Sequence, residues 1–292
     1  MKITKLSEIQ NDQKSVKAVI FGSYGIGKTS LLKTLDEPTL CLDFEAGLLS
    51  VQNWQGDVIS VQTWEEARDL ACLICGPNPA IKREQVYSEK HYEYSKKKYE
   101  TLRNLDKYKC IFVDSITVAS RLCLEFAKNH PDVMNTKTGR PDVRSAYGIL
   151  ASEMLSWVNQ FQHLKGKDVV FVGGLDQKTD DFNRVVYSPQ VEGSKIASEL
   201  PGILDEVITM TSIQGTRKFV CQTLNAEGYP AKDRSGKLGI LEEADLGKLL
   251  KKIKGSVESL REDVTKDVST ESLNDIKRTI KQIGNLSKQM GE

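Results

Sequence analysis

The chain has no surplus of either charge. Its 41 Lys and Arg residues against 40 Asp and Glu leave a formal net charge of +1 over 292 residues. No global field pulls it toward nucleic acid or an anionic membrane, so any nucleic-acid contact must come from local basic loops. No apolar run is long enough to span a bilayer, and neither a signal-peptide pattern nor a lipidation motif appears, which predicts a cytoplasmic protein without membrane contact. Cysteine is present six times, but Cys72-Leu-Ile-Cys75 has neither a second pair nor a histidine partner. That spacing reads as a plain helix end in preference to a zinc or redox site.

What is present is a soluble-domain composition, 39% hydrophobic and 28% charged, with short apolar runs alternating with helical patterns. Residues 16–21, 39–44, 57–61, 108–113 and 168–172 read as strands, and 206–210 with 217–224 as a strand pair. Residues 29–35 read as a helix, and Thr63-Trp64-Glu65-Glu66 has capping-box spacing for another. Strands alternating with helices predict an α/β fold with a mainly parallel sheet covered on both faces. Residues 82–107, rich in Lys, Glu and Tyr, read as a helical insertion, a solvated helix with i,i+4 pairs in preference to a DNA-binding arm around Lys96-Lys97-Lys98. The expected organisation is a core over 1–242 and a C-terminal helical extension over 243–292. In that extension Leu273, Ile276, Ile280, Ile283 and Met290 draw one apolar stripe, either a seam for a partner or a face packed on its own core.

The strongest motif is Gly22-Ser23-Tyr24-Gly25-Ile26-Gly27-Lys28-Thr29, followed by Ser30, between a strand and a helical pattern. This G-x-x-x-x-G-K-T pattern in that context is a phosphate-binding loop. Its glycines let backbone N–H groups face the phosphates of ATP, Lys28 reaches the terminal phosphates, and the Thr29 hydroxyl ligates Mg²⁺. Such a loop needs an acid at a neighbouring strand end, and Ile111-Phe112-Val113-Asp114 supplies Asp114 as the second metal-site residue. Ser115 stands where a glutamate often follows that acid. The candidate base is therefore Glu45, in Leu42-Asp43-Phe44-Glu45-Ala46-Gly47; as an extended segment this puts Asp43 and Glu45 on one face.

The order of phosphate loop, LDFEAG, FVDS, a loop and helix, then FVGG resembles the RecA-like recombinase core over roughly residues 16–224. It looks most like the short phage versions grouped as RecA-like single-strand annealing ATPases, and Tyr229–Gly236 adds to that likeness. The resemblance implies an ATPase acting in phage or mobile-element DNA recombination or repair, in the cytoplasm of a bacterial host. It implies a homo-oligomer, ring or filament, that binds single-stranded DNA and promotes annealing or strand exchange, with a single-strand binding or replication protein as possible partner. It favours Glu45 as base. It implies a polar sensor at the end of the fourth strand, where this chain has Gly173-Gly174-Leu175, leaving Gln177 as replacement. It implies two DNA loops, with Lys137, Arg140 and Arg144 in the first and Lys178, Arg184 and Tyr187 in the second. It also implies a basic residue acting across the subunit boundary, for which Lys195, Arg217, Lys218, Lys232 and Arg234 are candidates. Two other readings share the core: a ring-forming helicase or loader motor, and a nucleotide-dependent switch that binds a protein partner.

Overall fold

The first strand, β1 (Lys17–Gly22), is buried on both sides, and its period of two divides the molecule into layers. Val19 and Phe21 enter one apolar cluster; Ala18 and Ile20 enter another on the opposite face. The computed structural model describes residues 15–102, 104–134, 139 and 142–255. Around β1 lie β2 (Thr39–Asp43), β3 (Asp57–Ser60), β4 (Cys110–Asp114), β5 (Asp168–Thr179), β6 (Val185–Gln190), β7 (Glu206–Ile213), β8 (Thr216–Val220), β9 (Lys232–Asp233) and β10 (Leu241–Glu243). They form a ten-stranded sheet in the order β10-β8-β7-β1-β5-β4-β2-β3, with β6 paired to β5 and β9 to β7. The run from β7 to β3 is parallel; β6, β8, β9 and β10 are antiparallel additions. The fold is the expected α/β class with a mainly parallel sheet.

One face carries α1 (Trp64–Cys75), α3 (Ile116–Lys128), α4 (Val143–Gln162) and α5 (Ser194–Ile203). Their apolar stripes meet the sheet around Trp64, Trp157, Phe161 and Phe171. The capping box opens α1 as the sequence indicated, with the Glu66 N–H donating to Thr63 Oγ1 at 3.2 Å and the Thr63 N–H donating to Glu66 Oε2 at 3.1 Å. Cys72 and Cys75 end that helix as free thiols, and burial pushes the Cys72 thiol up to about 12.

The other face is covered by a short 3₁₀ turn, Thr29–Thr34, and by α6 (Leu246–Lys254). The turn stands in place of the helix expected over 29–35, and the chain re-enters the sheet at Thr39. Leu246, Leu249, Leu250 and Ile253 bury against Leu31, Leu32 and Phe219, and the Leu246 N–H donates to Thr34 Oγ1 at 3.0 Å. The compact unit therefore runs to Ile253, not to 242. The apolar stripe of residues 273–290 lies outside the described residues.

The insertion is also more integrated than a solvated helix. Its helix, α2 (Glu89–Lys98), is pinned to α1 by the buried Asp69, which meets His91 Nε2 at 2.8 Å and Lys98 Nζ at 2.7 Å. The Tyr87 N–H donates to His91 Nδ1 at 2.9 Å, so the proton of the neutral ring sits on Nε2, facing Asp69. The interactions that hold α2 are tertiary; the pair Lys96–Glu93, at 3.9 Å, is exposed.

Candidate functional site

Parallel register brings Gly22, Asp43, Asp114 and Gly174 to one edge of the sheet, the edge where loops following parallel strands converge on ligands. A cleft of about 300 Å³ opens there, lined by the phosphate loop, Ser30, Glu45, Ser50, Asp114, Thr117, Arg121, Gly174, Gln190 and Arg217. Gly25 and Gly27 hold φ values of +73° and +103°, which a side chain would oppose.

Thr29 and Asp114, separated by 85 positions in the chain, meet directly: the Thr29 hydroxyl donates to Asp114 Oδ2 at 2.6 Å. Asp114 is 3% exposed. Burial pushes its carboxyl up to about 6, with Glu45 and Asp43 adding to the rise and the Thr29 hydrogen bond and Lys28 opposing it. Lys28 Nζ donates to the carbonyls of Gly22 at 2.9 Å and Ser23 at 3.0 Å; burial lowers its pKa against the pull of Glu45 and Asp114. One hydroxyl and one carboxylate are hard oxygen donors suited to Mg²⁺, which takes few protein ligands and completes its shell with water and phosphate oxygens. Among the described residues no cluster of His, Cys, Asp or Glu could hold a metal on its own.

Glu45 lines the same cleft, but not from an extended segment. Strand β2 ends at Asp43, whose buried carboxylate accepts the N–H groups of Glu45 at 3.1 Å and Ala46 at 2.9 Å. The chain turns there, with Ala46 at φ +53°, so Asp43 shapes the turn while Glu45 faces the cleft. Ser115 holds it: the Ser115 hydroxyl donates to Glu45 Oε1 at 2.5 Å and accepts the Val118 N–H at 3.3 Å, capping α3.

Gln177 is not in the cleft. Strand β5 continues through Thr179 and pairs with β6, which puts exposed Gln177 opposite Tyr187 on a projecting hairpin. The polar group beside Gly174 is Gln190, brought by β6. Its Oε1 accepts the Tyr24 hydroxyl at 2.7 Å and fills the space a β-carbon on Gly174 would need. Thr117 locks the junction, donating to the Gln190 carbonyl at 2.7 Å and accepting the Gly174 N–H at 2.8 Å. The sequence signal for this was the bare Gly173-Gly174 pair. Arg121, one helical turn after Thr117, is a second cleft residue that sequence reasoning passed over.

Of the DNA-loop candidates, Lys137 and Arg140 lie outside the described residues. Arg144 is exposed at the start of α4, and Lys178 is exposed on the hairpin. Arg184 is bound within its own turn, donating from Nε to Asp180 Oδ2 at 2.8 Å and lying 5.3 Å from the Phe182 ring centre. Tyr187 packs against Tyr229, with ring centres 4.4 Å apart.

The basic candidates for action across a subunit boundary separate sharply. Lys232 Nζ donates to the carbonyls of Pro201 at 2.9 Å and Leu204 at 2.7 Å, satisfying the end of α5. Arg234 pairs with Asp205 at 2.8 Å. Both are structural within their own chain, which corrects the expectation for them. Lys195 lies 3.8 Å from Glu199 on the surface; Lys218 follows Arg217 on β8 and faces the other side of the sheet. Arg217 sits over the phosphate loop of its own chain.

An AAA-domain family model matches residues 14–235, and the chain belongs to that family. No curated protein sequence matches it. Among solved structures, it is similar to the RadB recombinase, with 12% identity, a TM-score of 0.33, and coverage of 72% of this chain and 80% of that one. It is similar to a type III secretion ATPase of pathogenic bacteria, with 20% identity, a TM-score of 0.33, and coverage of 67% of this chain and 51% of that one. It is also similar to the ATPase EscN of enteropathogenic E. coli, with 18% identity, a TM-score of 0.33, and coverage of 68% of this chain and 43% of that one. The chain thus spans about half the length of the two secretion ATPases or less. With its phosphate loop and Asp114 assembled in one cleft, the chain is a P-loop ATPase. Among the described residues no helix is long and apolar enough to cross a membrane.

Proposed function

Taking membership of the AAA-domain family as the premise, we propose that this ATPase works on single-stranded DNA as a homo-oligomer in recombination or repair of phage or mobile DNA. The observation that carries the reading is the meeting of Thr29, Asp114 and the Ser115-held Glu45 around one cleft with Lys28. Thr29 and Asp114 would hold Mg²⁺, which neutralises charge on the phosphates. Lys28 exchanges its carbonyl partners for the terminal phosphates of ATP. Glu45 orients water and accepts its proton, and Ser115 keeps that carboxylate aimed at the cleft. Gln190 bonds Tyr24 of the phosphate loop and ends the β5–β6 hairpin, which supports coupling between nucleotide and whatever the hairpin touches. Lys178, Arg144 and Tyr187 provide the basic and aromatic groups that suit backbone tracking and base stacking.

ATP turnover measured with and without single-stranded DNA, alongside particle size by light scattering, tests this directly. Stimulation by DNA with particles larger than one chain is the expected result. Unchanged turnover at saturating oligonucleotide removes the DNA reading and leaves the ATPase standing. Turnover insensitive to DNA but stimulated by a replication or repair protein would then favour a switch that binds a protein partner; strand displacement would instead favour a helicase-type motor.

A further inference from the structure

The sequence offered Arg217 as a residue that reaches a neighbouring subunit; its position in the fold is at odds with that role. Strand β7 pairs with β1 at Met210 opposite Gly22, the last residue before the phosphate loop. It then runs three residues further before turning back through Gln214 and Gly215, at φ +51° and +78°. Positive φ at both central residues is the signature of a type I′ turn. Strand β8 returns with Arg217 opposite Ser212, so the hairpin overhangs the loop that follows β1. Arg217 shares a face with Phe219, two residues on, and Phe219 is buried in the cluster that contains Leu31 and Leu32 beneath the loop. The guanidinium accordingly lies on the loop side of the sheet. A β-carbon built on Gly27 would stand 2.5 Å from Arg217 Nη1 and 2.8 Å from its Cζ.

Two features of this position call for an anion. A phosphate loop turns its backbone N–H groups inward and is itself electropositive, and Lys28 adds a further cation beside it. Among the described residues the Arg217 side chain makes no hydrogen bond or ion pair, whereas Lys195, Lys232 and Arg234 all have partners in their own chain. An unpaired guanidinium held against an electropositive loop is well placed to share a polyanion with it. We propose that Arg217 grips the terminal phosphates of the triphosphate bound to its own chain. The positive charge opposite Lys28 is then supplied in cis, and the phosphate site needs no arginine from a neighbour. The inference rests on the reading of the cleft as an ATP site, and not on DNA binding or on any oligomeric state.

Equilibrium binding of a non-hydrolysable ATP analogue and of ADP to the full chain, as wild type, Arg217→Ala and Arg217→Lys, tests it. Removing a charge-assisted hydrogen bond to a phosphate weakens binding about tenfold to a hundredfold. The expected pattern is a loss of that size for the triphosphate with Arg217→Ala, a smaller loss for ADP, and partial recovery with Arg217→Lys. Should Arg217→Ala not fold by circular dichroism, Arg217→Gln, which keeps the stem, carries the same comparison. A second measurement separates cis from trans: ATPase activity of Arg217→Ala mixed with Lys28→Ala. Action in cis gives no recovery, because every loop with an intact Lys28 lacks its own arginine. Unaltered triphosphate affinity in Arg217→Ala, or turnover restored by mixing, overturns the proposal. A wild-type chain that binds no triphosphate overturns the underlying ATP-site reading instead, and DNA-insensitive turnover with the expected binding pattern sinks only the DNA reading.

Discussion

Two buried carboxyl groups sit at opposite ends of the sheet and look alike by electrostatics alone. Asp114, at the end of β4, is 3% exposed and pushed up to about 6, chiefly by burial. Glu206, at the start of β7, is 1% exposed and pushed up to about 8 by burial and then by the neighbouring Asp233 carboxylate. Their surroundings differ. Asp114 meets a hydroxyl and a lysine at the edge of a cleft. Glu206 faces the turn at 233–235, accepting the Ser235 N–H at 3.1 Å through Oε1 and sharing a proton with the adjacent Asp233 carboxylate, away from any opening. Asp233 raises no such question: burial pushes it up, but donors from Ser235, Leu238 and Gly236 outweigh that and hold it low. A displaced pKa marks a site of chemistry only where an opening and complementary groups adjoin it; sealed in, it marks a titratable load on the fold.

The contrast can be broken experimentally. The largest effect is expected from Glu45→Gln, which should lower ATP turnover by about 10² to 10⁴ while nucleotide affinity, measured by equilibrium binding, stays within a fewfold. Normal turnover in that variant would move the base elsewhere. Asp114→Asn should cost about a hundredfold in Mg²⁺-dependent turnover with the thermal unfolding midpoint little changed, since an amide suits its buried position. Glu206→Gln should leave turnover alone and act on stability instead. The folded state holds the Glu206 proton to about pH 8, against an ordinary glutamate value of 4.5. Wild-type stability from this group is therefore full below pH 4.5 and is lost as pH rises toward 8. The Gln variant lacks that falling limb, so in denaturant titrations it should gain on wild type as pH rises toward 8 and match it near pH 4.5. If Glu206→Gln cut turnover as deeply as Asp114→Asn, the distinction between the two ends would collapse. Lys232→Met should have the smallest effect, destabilising by about 1 kcal/mol through the unpaired carbonyls at the end of α5, with turnover intact.

The phosphate loop was legible because its chemistry is contiguous: eight successive residues between a strand and a turn. Asp114 was legible because a strand end next to such a loop has one obvious acid to offer. Elimination pointed to Glu45 as candidate base, and the residue does line the cleft, although the Asx-type turn made by Asp43 that puts it there was not visible in an extended reading. Gln190 and the true position of Arg217 were hidden for a common reason. Both arrive on the returning strand of a hairpin. The register of that return, which decides the residue set beside the phosphate loop, is fixed by the turn and not by the order of polar residues along the chain. Following that order past Gly174 leads out along the hairpin to Asp176 and Gln177. Lys232 and Arg234 misled because a basic residue that caps carbonyls or pairs with Asp205 looks, in sequence, like one that reaches outward.

The tight hairpin that carries Arg217 also limits how this protein can vary. Insertion or deletion of one residue between Met210 and Phe219 would either break the Gln214-Gly215 turn or slip β8 by one place. A slip would bury Lys218 where Phe219 now packs and swing the arginine to the far side of the sheet. Length changes in this segment should therefore be tolerated only in pairs, and a single-residue change would disable a nucleotide pocket whose own loop sequence remained intact.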